Sequence, residues 1–446
     1  MRRFLLPASC CLPLFCLLLL ASCSTSRRFT RKIEKQVTAS PVFNRAFTGF
    51  TLLDPETGKT LADVNGDKYF TPASNTKILT LATCLEVLGD SVPGLYIKQT
   101  DSSLFFRSTG DPTFLHPKFL KWQQIAARLK AARQPKIIWS RATYVEPFGP
   151  GWAWDDAPYD YSAERSSMPI FGNVSRVYAV TSDSLAVDQY NWHKLKLTYG
   201  MGANRISTSP GSSLIFYSDR DTFDKDFEIF VPVKGIMEPD TYIILGLLED
   251  ALHQTIWSDA RSFPRSDYRT WYSTPLDTVL RRMMYQSDNF IAEQMLLVCA
   301  GEKFDTLEQD PVIGWMLDSV LTHLPQRPRW VDGSGLSRYN LVSPRDLAAV
   351  LDYLWKTQPR QRLFSLFNSA GAPDTTLEWY KTAAAPSPYL FAKTGSMSGV
   401  NCLSGYLVCK SGKVLIFSFM HNNYIGTNKP WKEEMRRILE IIRGTY

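Results

Sequence analysis

Histidine is scarce in this sequence and never occurs in a metal-binding pattern. Five copies stand among 446 residues, at His116, His193, His253, His323 and His421. None belongs to H-E-x-x-H, the spacing that places two zinc ligands on one face of a helix. We therefore predict that the protein is not a metalloenzyme.

Cysteine pairs at metal-binding spacing are also missing. Beyond residue 23 the cysteines stand in apolar stretches without C-x-x-C spacing, at Cys84, Cys299, Cys402 and Cys409. This pattern predicts buried thiols rather than a disulfide framework or a zinc site.

A strong charge of one sign is missing as well. The net charge is +7, and loss of Arg2 and Arg3 with a leader would leave +5. That mild excess suits anionic lipid or cell-wall surfaces, but it is too weak to indicate a nucleic-acid partner. The chain also has no nucleic-acid-binding motif, so we predict no such partner.

One apolar run opens the chain. It follows Arg2 and Arg3 and ends in small residues, which is the anatomy of a signal peptide, here predicted over 1–22. Pro7 and Pro13 interrupt the run, and it is short for a helix that spans a bilayer. The sequence therefore predicts an exported protein of the periplasm or cell envelope.

The end of this run, Leu-Ala-Ser-Cys, resembles the bacterial lipobox, whose cysteine is acylated. The resemblance predicts lipidation of Cys23 and a membrane tether over 23–45, a segment rich in basic and polar residues. Small residues beside a cysteine are also ordinary in signal peptides, so an unlipidated leader remains the alternative.

Apolar periodicity predicts a mixed α/β protein with strands at both ends and helices between them. Two pairs of strands are predicted, "AFTGFTLLD" with "KTLADVN" and "CLSGYLVCK" with "KVLIFSFMH". Helical periodicity marks "ILTLATCLEVLG" and several later stretches, and "PKFLKWQQIAARLKAARQ" predicts one continuous helix. Ser343-Pro344 with Asp346 predicts a helix start for "RDLAAVLDYLWK". We expect a sheet formed from distant parts of the chain.

The middle of the chain has a different texture. From about 95 to 265, short strand patterns alternate with turns, without repeats or low-complexity linkers. We predict a catalytic domain made of 46–95 and 265–446, with 96–264 as inserted domain material of mixed strand and helix.

Three short motifs lie in order along the predicted catalytic domain. They are Ser74-x-x-Lys77, Ser287-Asp288-Asn289 and Lys393-Thr394-Gly395. The first alone is uninformative, because a chain of this length contains on the order of one or two S-x-x-K matches by accident. Each of the others arises by chance in roughly one chain in ten. The ordered set therefore points to a shared chemistry.

The motifs are typical of penicillin-binding proteins and class A β-lactamases. The chain resembles the peptidase S13 family, the PBP4-type D-Ala-D-Ala carboxypeptidases and endopeptidases, from about residue 46 to the C-terminus. The resemblance rests on "PASNTKILT", "GDPTF", "GWAWDD", "QSDNFIAEQML", "VDGSGLSRYNLVSPRDL" and "AKTGSMSGVNCLSGY". The 213-residue spacing from Ser74 to Ser287 also matches that family, which inserts small domains there. The segment "SSMPIFGNVSRVYAV" departs from the family pattern.

The resemblance implies a fold and an activity. The fold is α/β (α+β), a transpeptidase-like domain with a mostly antiparallel sheet between helices. The activity is that of a serine D-Ala-D-Ala carboxypeptidase that acts on peptidoglycan stem peptides and is acylated by β-lactams. No metal or organic cofactor is implied.

The resemblance also implies roles for the first two motifs. Ser74 would attack the carbonyl between two D-alanines, and Lys77 would take its proton, provided that burial and a nearby positive charge disfavour the ammonium form. Ser287 would relay the proton to the leaving amine, and Asn289 would orient the substrate amide. Asp288 is expected to point away and brace the motif.

The third motif is expected to bind the substrate. Lys393 would supply the positive charge and, with Thr394, hold the terminal carboxylate of the peptide. Gly395 lets the strand come close to the substrate, because a Cβ would intrude. The backbone N–H groups of Ser74 and Ser396 would form the oxyanion hole.

Other conspicuous residues receive structural interpretations. Trp152 and Trp154 could line a sugar or peptide groove, but fold packing is the favoured interpretation of both. Asp155 and Asp156 are expected to be solvated or locally hydrogen-bonded. The "DGSG" stretch at 332–335 predicts a turn near the floor of the active site.

Two alternatives remain. A β-lactamase of class A would need a glutamate in an E-x-x-L-N loop, and the nearest string, "EDALH" from Glu249, lacks the final Asn. A wall-binding scaffold without catalysis would be expected to have lost motif residues, whereas all of them are present.

Overall fold

A computed structural model describes most of the chain. The described residues are 27–141, 144–182, 184–187, 196–199, 207–208, 214–217, 222–233, 241–261, 263–370, 377–380 and 388–446. The predicted signal peptide and Cys23 lie outside these ranges. No helix among the described residues combines the length and apolar character needed to cross a bilayer.

Strands and helices alternate along these residues. The strands are β1 (Phe47–Asp54), β2 (Lys59–Val64), β3 (Ser91–Gln99), β4 (Ser103–Ser108), β5 (Lys136–Ser140), β6 (Val174–Thr181), β7 (Ser184–Val187), β8 (Lys196–Tyr199), β9 (Ser207–Thr208), β10 (Leu214–Tyr217), β11 (Glu228–Pro232), β12 (Ile256–Asp259), β13 (Arg269–Pro275), β14 (Asn368–Ser369), β15 (Leu390–Met397), β16 (Val400–Val408) and β17 (Val414–Asn422). The helices are α1 (27–38), α2 (Lys77–Val87), α3 (Gln124–Lys130), α4 (Thr241–Leu252), α5 (Leu276–Tyr285), α6 (Asn289–Phe304), α7 (Gln309–Trp315), α8 (Pro344–Thr357), α9 (Arg360–Leu366) and α10 (Lys429–Thr445).

The largest sheet joins the two ends of the chain. Its order is β14-β15-β16-β17-β1-β2, and every neighbouring pair is antiparallel. Strand β1 pairs with β17, so that Phe50 lies opposite Phe419. The prediction of a sheet built from distant segments is confirmed.

Side chains of this sheet alternate between two helical layers. On β16, Cys402 and Tyr406 pack into a core shared with α2, α5, α6 and α8. Leu403 and Leu407 face the opposite way and pack into a core shared with α1 and α10. This period of two is what a sheet buried on both faces requires. The result is the predicted three-layer α/β arrangement with a mostly antiparallel sheet. Residues 27–38, which were predicted to belong to a polar tether, instead form the packed helix α1.

A second sheet occupies the middle of the chain. Its order is β12-β5-β4-β3-β13, with β4, β5 and β12 parallel and β3 antiparallel to both its neighbours. Its core packs against α3 and α4. Strands β3 and β13 pair with each other, so the two ends of the segment between them lie side by side. Two further sheets of three strands, β11-β6-β7 and β8-β10-β9, are formed by residues of this segment.

The prediction of one continuous helix over "PKFLKWQQIAARLKAARQ" is wrong. The segment forms a 3-10 stretch, Pro117–Trp122, and then α3, with Phe119 outside helical geometry. Gln123 explains the break, because its side chain accepts a hydrogen bond from Leu115 N–H and donates to the carbonyls of Thr113 and Phe119. These bonds tie the chain to the preceding loop.

The predicted helix start at Ser343 is confirmed. Ser343 and Asp346 form a reciprocal capping box at the beginning of α8. The cysteine prediction is also confirmed, since all four cysteines beyond residue 23 are buried free thiols.

Candidate active site

The predicted nucleophile lies on a tight turn. Ser74 belongs to the 3-10 turn Ala73–Thr76, which leads directly into α2. Ala73 has a φ of 46°, a left-handed backbone conformation that residues other than glycine rarely adopt. A Cβ on Gly335 would lie 1.9 Å from Ala73 O, so the turn is pressed against the 332–337 loop. Strain of this kind persists where the surroundings hold it, as at functional sites.

Lys77 lies one helical turn beyond Ser74, and its amine contacts the hydroxyl. Lys77 Nζ donates to Ser74 Oγ at 3.2 Å, to Asn289 Oδ1 at 2.6 Å and to Ser334 O at 2.8 Å. If the amine loses one proton, two N–H groups remain for the amide and carbonyl oxygens. The lone pair then faces the Ser74 hydroxyl, which is the geometry of a general base beside its nucleophile.

Burial makes that proton easier to lose. Lys77 is fully buried, and desolvation lowers its pKa to about 8, although the carboxylates of Glu293 and Asp332 act in the opposite direction. A substantial fraction of Lys77 is therefore neutral at mildly alkaline pH.

The second motif lies at the junction of α5 and α6. Ser287 has a φ of 56° and turns the chain. Asp288 caps α6 by accepting from Ile291 N–H at 3.1 Å, and it pairs with Arg282 at 3.0 Å. The expectation that Asp288 points away and braces the motif is confirmed. Asn289 begins α6, where its amide contacts Lys77.

Lys393 reaches the second motif from β15. Its amine donates to Ser287 Oγ and to Thr394 O, both at 2.8 Å. Burial, followed by repulsion from Lys77, holds the pKa of Lys393 well below its ordinary value. We expected Lys393 to be the lysine that stays charged. Among the described residues, however, its ammonium group donates to a hydroxyl and a carbonyl, and no carboxylate pairs with it. Burial and the nearby Lys77 therefore both disfavour the charged form of Lys393.

Strand β15 approaches the nucleophile turn closely at Gly395. A Cβ at this position would lie 2.5 Å from Pro72 O and 2.7 Å from Asn75 Nδ2. Asn75 Nδ2 also donates to Lys393 O at 3.2 Å. The sequence indicated that the glycine makes room for the substrate, whereas the structure places the backbone of the Ser74 turn there.

A cleft of about 530 Å³ opens above these residues. Its lining residues are Ser74, Gly151, Ala153, Asp155, Asp156, Tyr161, Asn289, Gly335, Leu336, Arg338, Ser396, Met397 and Ser398. Of the predicted site residues, Ser74, Asn289 and Ser396 line the cleft. Lys77 and Lys393 are buried beneath it. Ser287, Thr394 and Gly395 adjoin these lysines or the Ser74 turn but are not among the lining residues.

The segment between β3 and β13 contributes further residues to the cleft. Tyr161 O accepts from Asn289 Nδ2 at 2.9 Å, which fixes the amide with its oxygen toward Lys77. Asp155 and Asp156 line the cleft, although only solvation or local bonding was expected of them. Tyr161 donates its hydroxyl to Asp156 at 2.8 Å.

The two tryptophans of the same segment differ. Trp152 donates to Asp332 at 3.1 Å and is stacked with the Arg165 guanidinium at 5.7 Å, which agrees with the packing role predicted for it. The same prediction is wrong for Trp154, whose side chain is 76% exposed. The two positions are separated only by Ala153, and the surrounding segment has no periodicity that could tell a packed tryptophan from an exposed one.

The 332–337 loop does more than turn the chain. Ser334 presents its carbonyl to Lys77, while its N–H donates to Glu293 Oε1 at 2.7 Å. Asp332 holds the loop from within by accepting from Gly335 and Ser337 N–H groups. Burial raises the pKa of Glu293 to about 7, and the nearby Asp332 carboxylate acts in the same direction with a smaller effect. Backbone contacts of this kind have no signature in a motif.

Comparison with known proteins agrees with this geometry. The family model of the D-Ala-D-Ala carboxypeptidase 3 (S13) family matches residues 29–213 and 267–442. The D-alanyl-D-alanine carboxypeptidase DacB of Haemophilus influenzae is 30% identical, over 89% of this chain and 90% of that protein. The D-alanyl-D-alanine carboxypeptidase of an Actinomadura species is 26% identical, over 86% of this chain and 79% of that protein.

Solved structures show the same fold. Penicillin binding protein 4 of H. influenzae superimposes with a TM-score of 0.71 at 19% identity, covering 92% of this chain and 99% of that one. The same protein complexed with a β-lactam gives a TM-score of 0.67 at 20% identity, with the same coverage. Because the family model and the alignment to DacB both cover most of the chain, the chain belongs to the D-Ala-D-Ala carboxypeptidase 3 (S13) family.

Proposed function

We propose that this protein is a serine D-Ala-D-Ala carboxypeptidase that acts on peptidoglycan stem peptides through an acyl-enzyme on Ser74. The observation that carries the proposal is the position of Lys77 Nζ, 3.2 Å from Ser74 Oγ with acceptors for its other protons. Family membership supplies the substrate class, because the relatives named above are D-alanyl-D-alanine carboxypeptidases.

Acylation begins when neutral Lys77 takes the proton of Ser74. The freed alkoxide attacks the carbonyl between the two D-alanines, and the carbonyl oxygen becomes negatively charged. Ser74 and Ser396 both line the cleft, so their backbone N–H groups are our candidates for the oxyanion hole. Each such donor contributes on the order of a hundredfold to a thousandfold in rate.

The leaving D-alanine needs a proton. Ser287 accepts a hydrogen bond from Lys393, and Lys393 lies close enough to Lys77 for their charges to interact. We assign the relay from Lys77 to the leaving amine to Ser287, and we assign Asn289 to orienting Lys77 and the substrate amide. Water then hydrolyses the ester and restores Ser74.

The carboxylate of the terminal D-alanine favours the charged form of Lys393. An anion held near Lys393 and Thr394 would raise the pKa of this lysine, and the restored positive charge would lower the pKa of Lys77. Substrate binding would thus help to prepare the base. Arg338 at the cleft supplies a further cation for an anionic ligand.

We further propose an exported, lipid-anchored form of the enzyme in the periplasm. The apolar leader over 1–22 and the lipobox-like cysteine, Cys23, support this localisation. We assign 46–95 and 265–446 to the catalytic domain and 96–264 to inserted domains. The pairing of β3 with β13 supports this division, because it brings the two ends of the insertion together.

Muropeptide analysis tests the proposed activity. Purified protein is incubated with peptidoglycan fragments that carry pentapeptide stems, and the products are identified by mass spectrometry. We expect tetrapeptides and free D-alanine, and no product with Ser74→Ala. Loss of cross-linked dimers would add endopeptidase activity, whereas unchanged pentapeptides would refute the proposal. Rapid turnover of a chromogenic cephalosporin would instead favour the β-lactamase alternative.

A further inference from the structure

Exposed aromatic side chains gather at the mouth of the cleft. Four large rings there are substantially exposed: Trp154 at 76%, Tyr159 at 54%, Tyr339 at 50% and Tyr161 at 42%. We call these residues the aromatic rim. Exposed apolar surface bordered by polar groups is typical of an interaction site.

The rim follows the lip of the cleft. Tyr339 packs on Gly151, because a Cβ there would lie 2.5 Å from its ring. Trp154 stands between Ala153 and Asp155, which both line the cleft, but its own side chain is not part of the lining. Tyr159 stacks on Tyr161 with the rings 5.3 Å apart and 7° from parallel. The rim thus borders the cleft on the side of the 151–161 segment.

Several groups of the rim have no partner within the described part of the chain. The indole of Trp154 makes no hydrogen bond or ring contact with any described residue. The hydroxyls of Tyr159 and Tyr339 likewise make no hydrogen bond to described residues. Arg329 lies 5.0 Å from the centre of the Tyr339 ring, and Tyr159 covers one face of Tyr161, so the indole of Trp154 is the most open apolar face of the rim. The hydroxyls of Tyr159 and Tyr339 are free to donate and accept.

We propose that the aromatic rim binds the glycan strand of peptidoglycan by stacking of Trp154 and its neighbours against pyranose rings. This inference rests on the proposed function, because the stem peptide that enters the cleft is covalently joined to a glycan. When the D-alanine end of the peptide reaches Ser74, its other end leads out of the cleft to the sugars. Pyranose C–H faces match aromatic faces, and sugar hydroxyls match the free tyrosine hydroxyls.

The charge next to Trp154 favours a sugar polymer over a membrane as the occupant. Asp155 and Asp156 adjoin Trp154, and their carboxylates would repel anionic lipid headgroups there, while the cation of the cleft, Arg338, adjoins Tyr339 instead. The same carboxylates accept hydrogen bonds from neutral sugar hydroxyls. The rim therefore combines apolar faces with acceptors, as a neutral polyhydroxylated ligand requires.

The first test compares polymeric and small substrates. Trp154→Ala is expected to lower kcat/KM on intact peptidoglycan sacculi about two- to tenfold, the loss of one aromatic stacking contact. Activity on a short D-Ala-D-Ala peptide should stay unchanged. Trp257→Ala is the matched control, because Trp257 is 53% exposed on β12 of the second sheet. Equal effects on both substrates, or no effect on sacculi, would overturn the inference.

The second test measures binding without catalysis. Ser74→Ala protein is sedimented with insoluble chitin, a neutral polymer of N-acetylated pyranose rings, and Ser74→Ala/Trp154→Ala protein is compared with it. Weaker sedimentation of the double variant supports the rim. Equal sedimentation, or a Trp154-dependent binding to phosphatidylglycerol vesicles instead, contradicts it. The proposed function is tested separately on the protein with Ser74 intact, because sedimentation does not depend on acylation. Failure of penicillin to label Ser74 of that protein would refute the proposed function.

Discussion

Two opposing influences act on the amine of Lys77. Burial disfavours its ammonium form, whereas the carboxylates of Glu293, Asp332 and Asp288 favour it. Burial is the larger influence, so the pKa falls to about 8. The sequence could predict that Lys77 needs burial to act as a base. It could not predict the carboxylates, because they reach this point through α6 and the 332–337 loop.

The first prediction concerns the pH dependence of acylation. Protonated Lys77 has no lone pair for the Ser74 proton, so the rate should rise with pH through about 8. The second-order rate of labelling by a fluorescent penicillin, measured across about pH 6 to 10, checks this. A rate that is flat or falls across the range would contradict the role of Lys77.

The same profile should respond to Glu293. The Glu293 carboxylate raises the pKa of Lys77, so Glu293→Gln is expected to move the midpoint to lower pH. Glu56→Gln changes an exposed carboxylate and serves as the control. A midpoint that moves upward or not at all would show that Glu293 does not act through charge.

Removing the amine is the second prediction. Lys77→Ala should lower the rate of acylation about 100- to 10,000-fold, the usual contribution of a general base. Lys68→Ala, at an exposed side chain, should leave the rate unchanged. Circular dichroism of both variants checks that they are folded. Near-normal labelling of folded Lys77→Ala would assign the base to another group.

At the scale of elements, β15 and the nucleophile turn must fit against each other. Gly395 allows this because Pro72 O occupies the space that a Cβ would need. Gly335 does the same on the opposite side, against Ala73 O. The Ser74 turn is therefore held between two glycine contacts, and the sequence indicated only that Gly395 stands where close approach is needed.

Gly395→Ala is the third prediction. The added methyl group should push β15 from the turn, which we expect to lower the acylation rate more than tenfold and the free energy of unfolding by about 1–3 kcal/mol. Penicillin labelling and thermal unfolding measure the two effects. Gly89→Ala is the control, since nothing lies within 4 Å of a Cβ there. Equal rates for the two variants would contradict the close fit.

Local patterns predicted some elements better than others. The capping residues of α8 and the apolar stretch that forms β16 depend on neighbours in sequence, and both elements could be predicted. The break at Gln123 depends on bonds to Thr113 and Leu115 in the preceding loop, which helical periodicity does not report. Side-chain hydrogen bonds to the preceding loop override the helical preference of this segment.

At the scale of the whole molecule, the cleft is shared between the catalytic sheet and the insertion. Three motifs from the catalytic part were found by sequence, because the chemistry restricts their residue types. Tyr161 and Asp156 come from the insertion, where a backbone carbonyl or a single carboxylate leaves no recognisable spacing. Five of the thirteen lining residues come from this segment, and their place in the cleft was beyond prediction from one sequence.

The fourth prediction concerns the anchor. Cys23→Ala should abolish incorporation of labelled palmitate and release the protein from the membrane fraction, because the acyl chains attached at this residue would be lost. Cys10→Ala changes a cysteine of the leader and should leave both readouts unchanged. Membrane association of the Cys23 variant equal to that of the unaltered chain would contradict the lipid anchor.

The central claim is that Ser74 becomes acylated. Peptide mass mapping of the protein after brief exposure to penicillin tests it most directly. The account predicts a stoichiometric penicilloyl adduct on the peptide that contains Ser74 and Lys77, with none on Ser74→Ala. An adduct on another serine, or an unmodified chain at saturating penicillin, would contradict it.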